Sequence, residues 1–210
     1  MPSANNFLSF YLMRLWRTIF CCALLFVVCG LISCTTRSAH LATKIYYSDS
    51  HFAHLILPKF SNISIEENQQ MTGSYGDKKF SGNSWMLLND SLIHVMLFSS
   101  MGNVIAELIY TQDSVFFNSR WIDSDKVKAE YVIADVQFCY YPAKILSENF
   151  QKAGLHFRES QEGSSLRRSL SEGKSEILVM EKSKGRIRFE NKIRNYRYQI
   201  ESENQEERNP

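Results

Sequence analysis

Four apolar runs of strand length follow one another between residues 80 and 118, with only short polar breaks between them. Residues 80–88, 92–98, 104–110 and 115–118 are separated by Asn89-Asp90, by Ser100-Met101-Gly102-Asn103 and by Gln112-Asp113. Parallel strands need a crossover of a dozen or more residues, so breaks this short leave only an antiparallel meander. Similar runs recur at 155–158, 165–170, 176–181, 186–191 and 196–201, with Lys184-Gly185 and Arg194-Asn195 in the last turns. Between the two groups, residues 127–141 mix apolar and polar positions and end at Pro142. A second helical stretch at 143–152 stops at Gly154, a typical helix terminator. The order predicts a single α+β domain: a large antiparallel sheet of about ten strands with a helical insert.

Polar residues inside two runs assign the faces. His94 and Glu107 are expected to point to water, which places Ile93, Val95 and Leu97 on the opposite face with Ala106, Leu108 and Tyr110. A two-residue turn at Asn89-Asp90 would pair Met86 with Ile93 and add Met86 and Leu88 to that face. Met96, Phe98, Ile105 and Ile109 on the other side are also apolar. Either that side is partly covered, or the register is displaced by one. An apolar sheet face needs a cover, and residues 127–153 are the helical residues available for it. A tight lid makes an ordinary core; a loose one leaves a cavity. Tyr110, Phe138 and Tyr140 are candidate cavity aromatics on this basis, although aromatics in such elements are more often plain core.

The chain has 24 Lys+Arg and 22 Asp+Glu. Arg14 and Arg17 supply the whole surplus, so beyond residue 33 there are 22 bases and 22 acids. A body without net charge argues against nucleic-acid binding, which needs clustered positive charge. The two arginines precede an uncharged run, residues 19–32, which is shorter than the roughly 20 residues needed to span a bilayer as a helix. Small residues follow, in the order of a secretory signal.

Leu31-Ile32-Ser33-Cys34 resembles the lipobox of bacterial lipoproteins. The resemblance implies a signal peptide over 1–33 and a Cys34 carrying diacylglycerol and an N-acyl chain. Several acyl chains at ~0.8 kcal/mol per methylene would hold such a residue in a membrane firmly. Thr35, where an Asp would favour the inner membrane, leans toward the periplasmic face of the outer membrane. Of five cysteines, Cys21, Cys22 and Cys29 would leave with the signal and Cys34 would be acylated, leaving Cys139 as a small buried hydrophobe.

Motifs for catalysis are thin. His51 and His54 have one-turn helical spacing that could hold zinc, but no further ligands stand nearby. Ser171 and Lys174 match an S-x-x-K spelling without companion motifs, and Asp135 has no nameable catalytic partner. Arg186 and Arg188 alternate along a strand, as on a solvated face. Neither a phosphate-cradling glycine loop nor a nucleophile elbow is present. No enzymatic activity, metal or cofactor is expected, apart from the acyl groups on Cys34.

Gly73-Ser74-Tyr75, the words LFSSMGNVIAEL (97–108) and IADVQFCYYPA (133–143), and Tyr196-x-Tyr198-x-Ile200 together resemble a family of small bacterial lipoproteins. That family is often encoded beside aryl-polyene or flexirubin pigment genes, and is itself similar to the LolB-like receptor of lipoprotein sorting. The resemblance spans roughly residues 58–202, after a tether over 34–57 and before a polar tail at 203–210. It implies a half-open antiparallel barrel with a helical lid, and an apolar cavity for acyl-chain or lipoprotein cargo, supplied by a periplasmic carrier protein. The cavity lining would be Met86, Leu88, Ile93, Val95, Leu97, Ala106, Leu108, Tyr110, Phe138 and Tyr140. Met101, before the glycine of a hairpin tip, matches an apolar residue that enters the membrane in the receptor. Ser100 stands where the receptor usually has proline.

Overall fold

The structure, a computed structural model, describes residues 43–122 and 127–203. The signal segment, Cys34, the tether up to residue 42 and the tail from 204 lie outside the described residues.

A short hairpin, β1 (Lys44–Tyr46) and β2 (Phe52–His54), precedes one ten-stranded antiparallel sheet. The sheet comprises β3 (Ile65–Tyr75), β4 (Lys78–Leu88), β5 (Leu92–Phe98), β6 (Val104–Thr111), β7 (Val115–Ser119), β8 (His156–Glu162), β9 (Ser165–Glu172), β10 (Ser175–Ser183), β11 (Arg186–Asn191) and β12 (Tyr196–Ser202). Helices α1 (Ala129–Tyr140) and α2 (Ala143–Lys152) stand between β7 and β8. The spatial order is β7-β6-β5-β4-β3-β12-β11-β10-β9-β8. Two five-stranded meanders thus lie side by side, joined at β3 and β12, and the sheet is not closed. Its edges are β7 and β8, the strands that the helical insert connects. That insert must carry the chain across one face, because nine strand spacings of ~4.8 Å separate those edges in a flat sheet. This connectivity makes the helices a cover.

Local chemistry sets the element ends. Ser183 pairs with Arg186 across a two-residue turn, and Lys184 and Gly185 both have positive φ, as a turn matched to strand twist requires. Proline at 142 breaks the helical path after Tyr140, since the residue before proline is driven to extended backbone. Gly154 adopts φ +74°, and Leu155 N–H closes α2 on Phe150 O at 3.0 Å.

The faces are those expected, with the pairing displaced by two. Leu88 pairs with Ile93 and Met86 with Val95, because the turn also takes in Ser91, whose N–H bonds Asn89 Oδ1 at 2.9 Å. A two-residue displacement leaves every side chain on its own face. His94 Nε2 and Glu107 Oε1 meet at 2.9 Å on the outer side, among half-buried Met96, Phe98, Ile105 and Ile109.

Two stretches differ from the sequence expectation. β3, Ile65–Tyr75, lies wholly before the first apolar run, which starts at residue 80. Its early inward positions are Glu67 and Gln69, which satisfy one another: Gln69 Nε2 donates to Glu67 Oε2 at 3.0 Å and to Tyr140 Oη at 2.8 Å. Ser84 Oγ donates to Gln69 Oε1, and Ser202 Oγ to Glu67 Oε2. Bonded in this way, polar side chains occupy positions that alternation reserves for apolar ones. The second difference lies in residues 44–57, expected as tether, which fold back as the β1–β2 hairpin with Ile45, Ala53, Leu55 and Ile56 in the core. Gln137 on α1 completes the seam: its amide accepts from Ile56 N–H at 3.0 Å and donates to Ile56 O at 2.6 Å.

Candidate functional site

The inner face of the sheet divides into a sealed part and a margin that the described residues leave open. Phe138, near the C-terminal end of α1, makes edge contacts with Phe150 of α2, Phe157 of β8 and Phe189 of β11, at ring separations of 6.1, 5.8 and 5.9 Å. Phe138, Leu88 and Ile93 have no accessible surface. A side chain of that kind borders no gap wide enough for a water. Met86, Ala106, Leu108, Tyr110 and Tyr140 are also buried, so the centre beneath the helices is filled. Burial pushes the Tyr110 phenol up to about 12.

Val95 and Leu97 are only half-buried, as are Val115 and Phe117 of edge strand β7. Beside them opens a recess of about 390 Å³, lined by Val115, Phe117, Val127, Lys128, Ala129 and Glu130. Its walls are therefore β7 and the N-terminal turn of α1. Four of the lining side chains are apolar, and one cation, Lys128, and one anion, Glu130, stand among them on the helix side. Volumes of a few hundred Å³ are in the range of small-ligand sites. Val115, Phe117 and Val127 were not singled out in the sequence as lining residues. The only signal was the short apolar spelling of an edge strand, which resembles that of a central one.

The polar constellations are structural. Arg168 is buried on the inner face, donating Nε to Glu159 Oε2 and Nη1 to Phe138 O, both at 2.7 Å. It thereby satisfies an orphan carbonyl near the end of α1. Asp135 accepts from Tyr196 Oη at 2.7 Å, and Tyr196 in turn accepts from Asn191 Nδ2 at 3.2 Å. Burial raises the Asp135 carboxyl to about 7, against the opposing pull of Tyr196 and Arg194. Arg194 stacks over Tyr131 at 3.8 Å and donates to Tyr46 O. Cys139, one turn further along α1, has its thiol pushed up to about 12 by burial and is no nucleophile at neutral pH.

His51 and His54 do not share a helix: His51 precedes β2 and His54 is its last residue. Ser48, Ser50 and Glu172 all approach the same nitrogen of His51, Nδ1, at 3.3, 2.9 and 2.5 Å. A hydrolytic triad needs nucleophile and carboxylate on opposite nitrogens of the ring. The cluster is thus a clasp between the β1–β2 turn and the end of β9. Among the described residues, no group of three or more His, Cys, Asp or Glu side chains is placed to hold a metal ion. Ser171 lies within β9 and Lys174 in the exposed turn after it. Arg186 and Arg188 bond Glu201 and Gln199 of β12 on the exposed face.

Met101 sits at the β5–β6 tip and is 84% exposed. Gly102 after it has φ +79° and donates to Ser99 O at 2.9 Å, the tight turn that holds Met101 outward. No described helix is long and apolar enough to cross a membrane.

A family model described as "Protein of unknown function (DUF3261)" matches residues 66–204. The match begins at the second residue of β3 and takes in the rest of the ten-stranded sheet and both helices. No curated protein matches the chain.

Proposed function

We propose that this chain, which belongs to the DUF3261 family, is a lipid-anchored lipoprotein at the periplasmic face of the outer membrane that binds or transfers acylated cargo without catalysis. Cys34 carries the anchor, and the ten-stranded sheet acts as a half-barrel similar to the LolB-like receptor. The supporting observation is the recess between β7 and α1, which the described residues leave open and which Val115, Phe117, Val127 and Ala129 line with apolar side chains. In mechanism, an acyl chain leaves a carrier protein, lies along Val115 and Phe117, and passes on to the bilayer. A chain of about 15 methylenes gains roughly 12 kcal/mol on leaving water. The bilayer offers nearly the same gain. A shallow recess that lets go suits transfer better than a sealed cavity. Lys128 at the rim would meet a carboxylate or phosphate head.

The sealed centre favours a second reading, in which the protein is a scaffold with a closed core whose outer surfaces bind a partner protein. Native mass spectrometry of the protein released gently from membranes separates the two. Co-purified lipid, or saturable uptake of a fluorescent fatty acid, supports the transfer reading. An empty protein that refuses fatty acids leaves the scaffold.

A further inference from the structure

The sheet ends in two open edges, and their chemistry differs. β8, at one edge, places Arg158, Glu159 and Glu162, with His156, among its seven residues. Charge of that density keeps other strands away. β7, at the other edge, reads Val115-Phe116-Phe117-Asn118-Ser119 and carries no charge. Thr111 N–H donates to Ser114 O at 2.9 Å, which makes these two a bonded pair of the β6–β7 ladder. By alternation Ile109 and Phe116 are bonded too, whereas Val115 and Phe117 stand at the non-bonded pairs with Tyr110 and Leu108. The backbone N–H and C=O groups of Val115 and Phe117 therefore point away from β6, and no described strand meets them. Phe116, between them, is 47% exposed on the outer side.

Opposite charges flank this strand. Asp113 precedes it and Arg120 follows it, both exposed. An antiparallel neighbour of the same sequence sets Asp113 towards Arg120 at both ends, whereas a parallel one sets like against like. The start of α1 beside the edge repeats the balance, with one cation at Lys128 and one anion at Glu130. We propose that β7 is a dimerisation edge, taken by the β7 of a second copy of this chain across a two-fold axis at Phe116. Phe116 then faces Phe116 of the second copy at a non-bonded pair, where side chains come closer and an aromatic contact is favoured. Val115 faces Phe117 of the second copy and exchanges both backbone hydrogen bonds with it, on each side of the axis. The joined sheet keeps only its charged β8 edges. The recesses of the two copies lie next to each other across the axis. The inference goes beyond the cargo reading and stands without it.

The test uses the full-length chain in mild detergent, where native mass spectrometry or sedimentation should find two copies per particle. Phe116→Lys sets two ammonium groups opposite one another at an exposed position. It should weaken the dimer about tenfold or more, with the circular dichroism of the parent retained. Phe116→Cys should form a disulfide between copies on mild oxidation, because a non-bonded pair holds its Cα atoms at about 4.5 Å, within disulfide reach. Peptide mass spectrometry then places the link between the two residues 116. Asn118→Cys should not link, because the same register sets its two copies about 14 Å apart along the strands. A chain that stays monomeric at its highest soluble concentration overturns the proposal. So does a dimer that a folded Phe116→Lys leaves intact, or linking at Asn118 as ready as at Phe116. If Phe116→Lys fails to fold, the two cysteine variants decide by themselves.

Discussion

Replacing Asp135 with Asn should flatten the dependence of stability on pH between 5 and 8. In the folded chain this carboxyl lies between α1 and β12, where burial raises its pKa from 3.8 to about 7. An acid whose folded pKa is raised holds its proton more tightly when folded. It favours folding below the unfolded value, and that advantage is lost as pH rises toward the folded value. With those two values the loss between pH 5 and pH 8 integrates to about 2.5 kcal/mol. This is a ceiling, since the residue is half-buried and solvent screens it in part. For a domain of this size, 2.5 kcal/mol corresponds to about 5–10 °C in Tm. The assay is urea or thermal unfolding of both proteins at half-unit pH steps, read as the difference between them. Contributions common to both proteins cancel in that difference. The Asn variant should gain on the parent as pH rises, most steeply between pH 5 and 7. Curves that run parallel from pH 5 to 8 refute the raised carboxyl, and with it the burial of Asp135 against Tyr196.

Phe138→Ala empties the junction of α1, α2, β8 and β11 and should cost about 3–5 kcal/mol, measured as a fall in the urea midpoint without change of slope. Tyr141→Phe should stabilise the protein by about 1 kcal/mol: the Tyr141 hydroxyl is buried without a partner among the described residues, and Gln137 beside it is committed to Ile56. Glu172 titrates below its ordinary value because Ser48 and then His51 bond it, so its support for the clasp is present at neutral pH and lost as pH falls through that lowered value. A carbon-detected NMR titration should show the depression in the parent and its reduction in His51→Ala.

Much of the fold was legible because its signals are local. Strand lengths, the two helices and both faces of β4–β6 follow from apolar periodicity, short turns, Pro142 and Gly154. The parts that escaped depend on partners distant in sequence. The beginning of β3 is spelled like a loop, and only Tyr140, Ser84 and Ser202 make Glu67 and Gln69 acceptable on an inner face. The β1–β2 hairpin needs Gln137, some 80 residues away, to bond the backbone at Ile56. For the candidate site, the sequence supplied the inner-face residues but could not say which of them the helices seal. Leu88, Ile93 and Phe138 turned out to be sealed, whereas Val115 and Phe117 border the opening. That distinction belongs to where α1 starts over the sheet, which no periodicity encodes. Trp121 lies just past the end of a strand, and its exposure follows from the Ser119 turn, not from its own neighbours in the chain.

The account turns on where an acyl chain rests. A photoreactive fatty acid, irradiated with the acylated protein and mapped by peptide mass spectrometry, places it directly. Labels on Val115, Phe117, Val127 or Ala129, competed away by unlabelled fatty acid, are the expected result. Labelling that is absent, cannot be competed, or falls only on residues remote from β7 and the start of α1 would contradict it.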